Sequence, residues 1–240
     1  MSKGTVAELK ATKTKATKRP DIQLLRAFAV IAVVGYHFEL PGFTYGFLGV
    51  DIFLVVSGFL VGGSLIREMQ LSGKIDFKRF FSARIKRLLP AALAAVIFTV
   101  ALLKITNQLT TREIRHAFWS LLYVQNINLG IEGSSYLGGD LNPSYFVHYW
   151  SLSLDEQFYI IAPVLLLIIF KCRLGRSVLP ILAVIAIASF VFSLMQTLDG
   201  EASAYYSILT RAWQFIIGML IANYLPTKSF SKKLWVIAAL

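Results

Sequence analysis

The chain has 240 residues, 56% of them hydrophobic and 15% charged, with a mean hydropathy of +0.65 and a formal net charge of +11. So apolar a composition excludes an ordinary water-soluble domain and points to an all-α, polytopic transmembrane helical bundle. The positive charge does not indicate nucleic acid, because the basic residues sit between apolar runs rather than among aromatics on one exposed face.

Residues 1–20, "MSKGTVAELKATKTKATKRP", are polar and Lys/Thr-rich, with no apolar core or cleavage site of a signal peptide. They are expected to form a disordered basic tail that can rest on anionic membrane lipid. Residues 21–240 are expected to form one membrane domain. Crossing the hydrocarbon takes about 18–22 apolar residues, and such windows lie near 22–40, 47–66, 88–104, 149–170, 177–196 and 205–225. A further apolar run begins at Trp235 and stops at Leu240, so the domain is expected to be incomplete at its C-terminus.

Orientation follows from the basic residues. Nineteen of the 24 Lys and Arg fall in alternate connections, 1–21, 67–87, 171–176 and 226–233, whereas 41–46 and 197–204 hold none. Basic loops stay in the cytoplasm, which puts the N-terminus there. By parity, residues 105–148 cross an even number of times or not at all. The amphipathic stretch "EIRHAFWSLLYVQNINLG" within it is then an interfacial or re-entrant helix, or one member of a pair. The single Cys172 allows neither a disulfide nor a cysteine-based metal site, and no metal site is expected. No internal repeat of transporter type is found.

Four segments place ionisable residues in or at the ends of these spans. A charge in hydrocarbon is costly and marks a site or a partner. In "RAFAVIAVVGYHF", Arg26 and His37 are eleven residues apart, within roughly 20° of one helix face and about 16 Å apart along the axis. Arg26 near the cytoplasmic end could hold a phosphate-bearing donor, and a neutral His37 near the outer end could take a proton from a hydroxyl. Equally, Arg26 could snorkel to lipid phosphate and His37 could be a packing histidine.

The second span opens "GFLGVDIFLVVSGFLVGGSLIRE". Asp51 stands at the predicted depth of His37, where a carboxylate can orient an imidazole, or it is a helix N-cap. Ser57 is mid-membrane. Gly58, Gly62 and Gly63 would let another backbone come close. In "KIDFKRFFSARIKRLLP", Arg84 and Arg87 lie one helical turn apart at the cytoplasmic rim, either binding donor phosphates or acting as positive-inside anchors. "HYWSLSLDEQFYIIAP" brings His148, Trp150, Ser151, Asp155, Glu156, Gln157 and Tyr159 to the outer end of a span, more polar groups than packing requires. Arg211, in "TRAWQFIIGMLIA", needs a partner within the membrane.

Together these segments resemble the acyltransferase 3 family of integral membrane acyltransferases over most of residues 20–225. The shared features are the Arg-to-His pair, the "GVD.F.V.SGF" segment, the basic "R.KRLLP" segment, "H.WSL..EQFY" and "R.W.F..G"; their order makes the match specific. The resemblance implies acyl transfer, commonly acetyl from acetyl-CoA, to a hydroxyl of an extracytoplasmic or membrane-bound carbohydrate or glycolipid. It also implies a bacterial inner membrane, acyl-CoA as co-substrate and no bound cofactor.

Carried over by position, His37 is the catalytic histidine, assisted by Asp51 or Glu156, and Arg26, Arg84 and Arg87 handle the donor. Ser57, His148, Trp150, Ser151, Tyr159 and Arg211 are further candidates. Two positions depart from the family pattern: Gln214 stands where Glu is common, and Asp155 replaces the first Glu of "EEQFY". The family core has about ten spans, more than this chain supplies. Two rival readings remain open to the residues alone: a proton-coupled transporter or channel using the buried Arg, His, Asp and Glu, and an inactive fragment acting by helix association.

Overall fold

The computed structural model describes residues 19–133 and 143–224. The tail up to residue 18 and the apolar run from Trp235 lie outside the described residues.

Eight helices account for the described architecture. Helix α1 spans Pro20–His37, with the proline in the first turn, where its missing N–H costs nothing. Helix α2, Gly46–Ser72, is a composite: a 3-10 turn (Gly46–Leu48), α-helix to Ser57, one π turn (Gly58–Gly62) and α-helix again from Gly63. Helix α3 is Phe77–Ile105, capped by the Asp76 carboxylate, which accepts from the Arg79 N–H at 2.9 Å. Two short helices follow, α4 (Thr111–Leu121) and α5 (Gln125–Ile131), and then α6 (Tyr149–Lys171), α7 (Gly175–Leu198) and α8 (Ile208–Tyr224).

Each predicted span falls on a helix, with two extended boundaries. The span expected over 88–104 is the second half of α3, and that expected over 47–66 continues to Ser72. In both cases a basic or polar segment carries on the helix, because Lys, Arg, Glu and Gln are good helix formers whose polarity hides them from an apolar window. The stretch near 113–130, read as one amphipathic helix, is two short helices joined at Leu122–Val124.

Helices α2, α3, α6 and α7 are long and apolar enough to cross a membrane. Ile97 and Phe98 on α3 and Val184 and Ile187 on α7 are exposed, as lipid-facing side chains would be. The core lies among α2, α6, α7 and α8, around the fully buried Leu54, Leu65, Leu154, Leu166, Leu182 and Phe215. Phe158 and Phe215 stack there at 4.3 Å between ring centroids. Ser189 locks α7 to α8, donating to the Leu209 carbonyl at 2.6 Å and accepting from the Trp213 N–H at 3.1 Å.

Glycine makes the α2–α8 contact possible. A Cβ on Gly58 would stand 1.9 Å from the Phe215 carbonyl oxygen, and one on Gly218 would stand 2.0 Å from that of Val55. The two backbones therefore touch at the π turn, as the small residues of "SGFLVGG" lead one to expect.

Candidate active site

The arginines of the basic segments converge. A cavity of about 770 Å³ opens at the end of the bundle where α2 turns into α3 and is lined by Arg26, Arg79, Arg84 and Arg87. Helical spacing explains the convergence: Arg79, Ala83 and Arg87, and likewise Phe80, Arg84 and Leu88, recur every four residues and line the cavity from one side of α3. Ser57, Val61, Ser64 and Glu68 line it from α2, and Leu152, Asp155 and Tyr159 from α6. Arg84 is held flat between rings, 3.8 Å from the centroid of Tyr159 and 4.5 Å from that of Phe80. Its Nε is buried without a hydrogen-bond partner among the described residues.

Ser57 ends the α-helical part of α2 at the π turn, a distortion that recurs at functional sites. Its hydroxyl lies 3.4 Å from that of Tyr159. Asp155 Oδ1 and Glu156 Oε1 are buried without hydrogen-bond partners among the described residues, in a region where Arg84 is the cation facing both carboxylates. Such groups are costly to bury unless something else engages them.

The opposite end of the bundle holds the imidazoles. His37 closes α1 and His148 precedes α6; their rings meet edge to face, 4.5 Å between centroids. His148 also lines a second cavity, of about 850 Å³, with Gln108, Arg112, Glu113 and Tyr145. Arg26, in the second turn of α1, and His37, its last residue, thus line two separate parts of the bundle. Ser151 donates to the His148 carbonyl at 3.4 Å, securing the turn into α6.

Asp51 and Arg211 find each other. Arg211 Nη1 donates to Asp51 Oδ1 at 2.9 Å and its Nε donates to the Tyr205 carbonyl at 3.2 Å, with the guanidinium 4.4 Å from the centroid of Tyr205. Trp150, buried, packs on Tyr205 at 4.8 Å. The partner that Arg211 needs is thus Asp51.

Gln157 is structural as well. Its amide donates to Asn126 Oδ1 at 2.8 Å and to the Tyr123 carbonyl at 3.1 Å, tying α6 to the α4–α5 pair. Arg79, Glu68 and Ser64 escaped the sequence reading, although the four-residue repeat on α3 could have shown Arg79.

Residues 19–240 match the acyltransferase domain family. The chain belongs to that family. It is 32% identical over 216 residues to a peptidoglycan O-acetyltransferase of Listeria monocytogenes, covering 88% of this chain and 35% of that one. It is 31% identical over 224 residues to an O-acetyltransferase of Staphylococcus aureus, covering 90% and 37%. A Bacillus subtilis protein provisionally named as a peptidoglycan O-acetyltransferase is 34% identical over 216 residues, covering 88% and 34%. The chain thus spans about a third of the length of the curated relatives it matches. No solved structure matches it. Family and apolar helices together make this an integral membrane protein.

Proposed function

We propose that the chain forms the membrane core of an O-acyltransferase that moves an acyl group, acetyl in the first instance, from acyl-CoA to a hydroxyl of an extracytoplasmic or membrane-bound carbohydrate. The observation that carries this reading is the division of labour along the bundle: four arginines around one cavity at the basic end, two packed histidines at the other.

The basic end faces the cytoplasm by the distribution of Lys and Arg. There the guanidinium forks of Arg26, Arg79, Arg84 and Arg87 suit the phosphates of acyl-CoA, which a guanidinium can bind through paired hydrogen bonds. From Arg26 to His37 is about 16 Å along α1, a distance that an extended pantetheine arm can cover, so the thioester comes to the histidine pair. His37 acts as general base: the acceptor oxygen attacks the thioester carbonyl, the C–S bond breaks, and the hydroxyl proton leaves with the CoA thiolate. General base catalysis supplies about 10²–10⁴-fold, and positioning of donor and acceptor supplies the rest. The names of the relatives support an acetyl group and a glycan acceptor, and their bacterial sources support a bacterial plasma membrane.

The test is CoA release from acetyl-CoA by the chain in nanodiscs, with and without peptidoglycan glycan strands, for wild type and His37→Ala. Acceptor-stimulated release lost in the variant is the expected outcome. Folded wild type that releases no CoA but carries a solute or protons across a vesicle membrane would overturn the reading in favour of transport.

A further inference from the structure

The second cavity shares no lining residue with the arginine-lined one. Its walls are the Thr106–Thr110 turn that follows α3, the first turn of α4, and the Pro143–His148 segment that leads into α6, all at the histidine end. Most of the residues lining these walls carry polar side chains, and those side chains are organised. Tyr145 donates its hydroxyl to Gln108 Oε1 at 2.5 Å. Glu113, only 5% exposed, accepts at one carboxylate oxygen from the Ser144 hydroxyl at 2.9 Å and from the Tyr145 N–H at 3.2 Å. The buried carboxylate thereby holds the segment that carries both Tyr145 and His148. The Tyr145 ring itself is 56% exposed, a flat aromatic face beside amide and guanidinium donors.

An acyl chain has no use for these groups, and a metal ion finds no set of ligands among the described residues. A sugar does: its C–H face lies on an aromatic ring while its hydroxyls meet amide, guanidinium and carboxylate edges. A volume of about 850 Å³ has room for two sugar rings. His148 stands where this cavity meets His37.

We infer that this cavity is the acceptor site, that it takes a hydroxyl-bearing disaccharide unit on Tyr145 and Gln108, and that the acceptor hydroxyl reaches the histidine pair through His148. The inference rests on the acyltransferase reading and adds the acceptor's location and its contacts. In the step, the acceptor oxygen bonds to the acetyl carbon, the C–S bond breaks, and the hydroxyl proton passes onto the His148–His37 pair and leaves on the CoA thiolate, giving ester and free CoA. His148 is then a catalytic residue, whereas Glu113 is a positioning residue.

The test uses the N-acetylglucosamine–N-acetylmuramic acid disaccharide and short glycan strands as probes, with Tyr145→Ala, Gln108→Ala and His148→Gln in nanodiscs. Tyr145→Ala and Gln108→Ala are expected to raise the KM for the acceptor about tenfold, the loss of one good hydrogen bond or stacking contact, and to shift the KM for acetyl-CoA less than twofold. His148→Gln is expected to lower kcat about 10²-fold with little change in either KM. Equal effects on both substrates, or none, would overturn the inference while leaving acyl transfer standing. If wild type shows no acceptor-stimulated CoA release, the acyltransferase reading fails, and direct binding of the disaccharide decides the cavity: binding lost in Tyr145→Ala supports a sugar site, and no binding by wild type overturns it.

Discussion

Arg211 on α8 donates to Asp51 on α2 across 2.9 Å, joining residues 160 positions apart in the region occupied by Trp150 and Tyr205. Both side chains are largely shielded, 14% and 29% exposed, so each is the other's compensation for leaving water. Removing one member of such a pair strands the other charge. Asp51→Ala or Arg211→Ala should therefore destabilise the bundle by about 2–4 kcal/mol. The double variant Asp51→Ala/Arg211→Ala should cost less than the sum of the two single changes, by about 1–3 kcal/mol. Thermal unfolding of the four proteins in one detergent closes the cycle, and strict additivity would mean that the pair is not coupled.

The glycine contact makes a sharper demand. Gly58→Ala and Gly218→Ala push a methyl group into a carbonyl oxygen, which only separation of α2 from α8 can relieve. Overpacking of this kind costs about 1–3 kcal/mol or more, and the altered helix spacing should also weaken acetyl-CoA binding next to Ser57. Gly73 is the contrasting case: it has a φ of +67° in open space, so Gly73→Ala meets only the backbone penalty of about 1–2 kcal/mol. Equal Tm losses at the three positions would argue against direct backbone contact.

Donor binding can be tested through Arg84. Its guanidinium is positioned by Tyr159 and Phe80 rather than by a carboxylate hydrogen bond among the described residues, which leaves its donors for a phosphate. Arg84→Gln should raise the KM for acetyl-CoA at least tenfold, the equivalent of one charge-assisted hydrogen bond of about 1.5–3 kcal/mol, and leave the acceptor KM almost unmoved. Arg84→Lys should recover only part of this, because an ammonium lacks the planar fork. An unchanged donor KM in Arg84→Gln would place the phosphates elsewhere.

His116 sets a pH dependence. It lies on α4, outside the long apolar helices, and is fully buried, with Nδ1 2.6 Å from Gln125 Nε2 and Nε2 3.2 Å from Glu132 Oε2. Burial pushes its pKa below the ordinary histidine value; Glu132 and Glu113 oppose the shift, while Arg112 and Arg115 reinforce it. The unfolded chain then binds the proton more readily than the folded one. Stability is full above the unfolded value of about 6.5 and declines as the pH falls from there toward the folded value. Unfolding measured between pH 8 and pH 5 should show this acid-side loss, with a shallower slope in His116→Gln. Identical slopes would assign the proton uptake to another group.

Several site features were legible in the residues because helical periodicity converts spacing into geometry. A separation of eleven residues already puts Arg26 and His37 near one face at different depths, and the close backbone approach at Gly58 is foreshadowed by "SGFLVGG". The same periodicity would have exposed Arg79 beside Arg87, had the helix of α3 been extended back through its charged start. Hydropathy stops counting where the charges begin, although the backbone hydrogen bonds continue.

The amino-acid order by itself determined the helical membrane class of the molecule and where along the chain its long apolar helices fall, since burial of apolar surface and exclusion of charge from hydrocarbon act on the chain locally. Only the tertiary structure decided who meets whom. That Asp51 answers Arg211, that His148 packs on His37, that Gln157 ties α6 to Asn126, and that Glu113 braces the segment carrying Tyr145 are contacts between helices distant in sequence. They depend on how each helix is rotated about its axis against its neighbours, which close packing of the whole set decides.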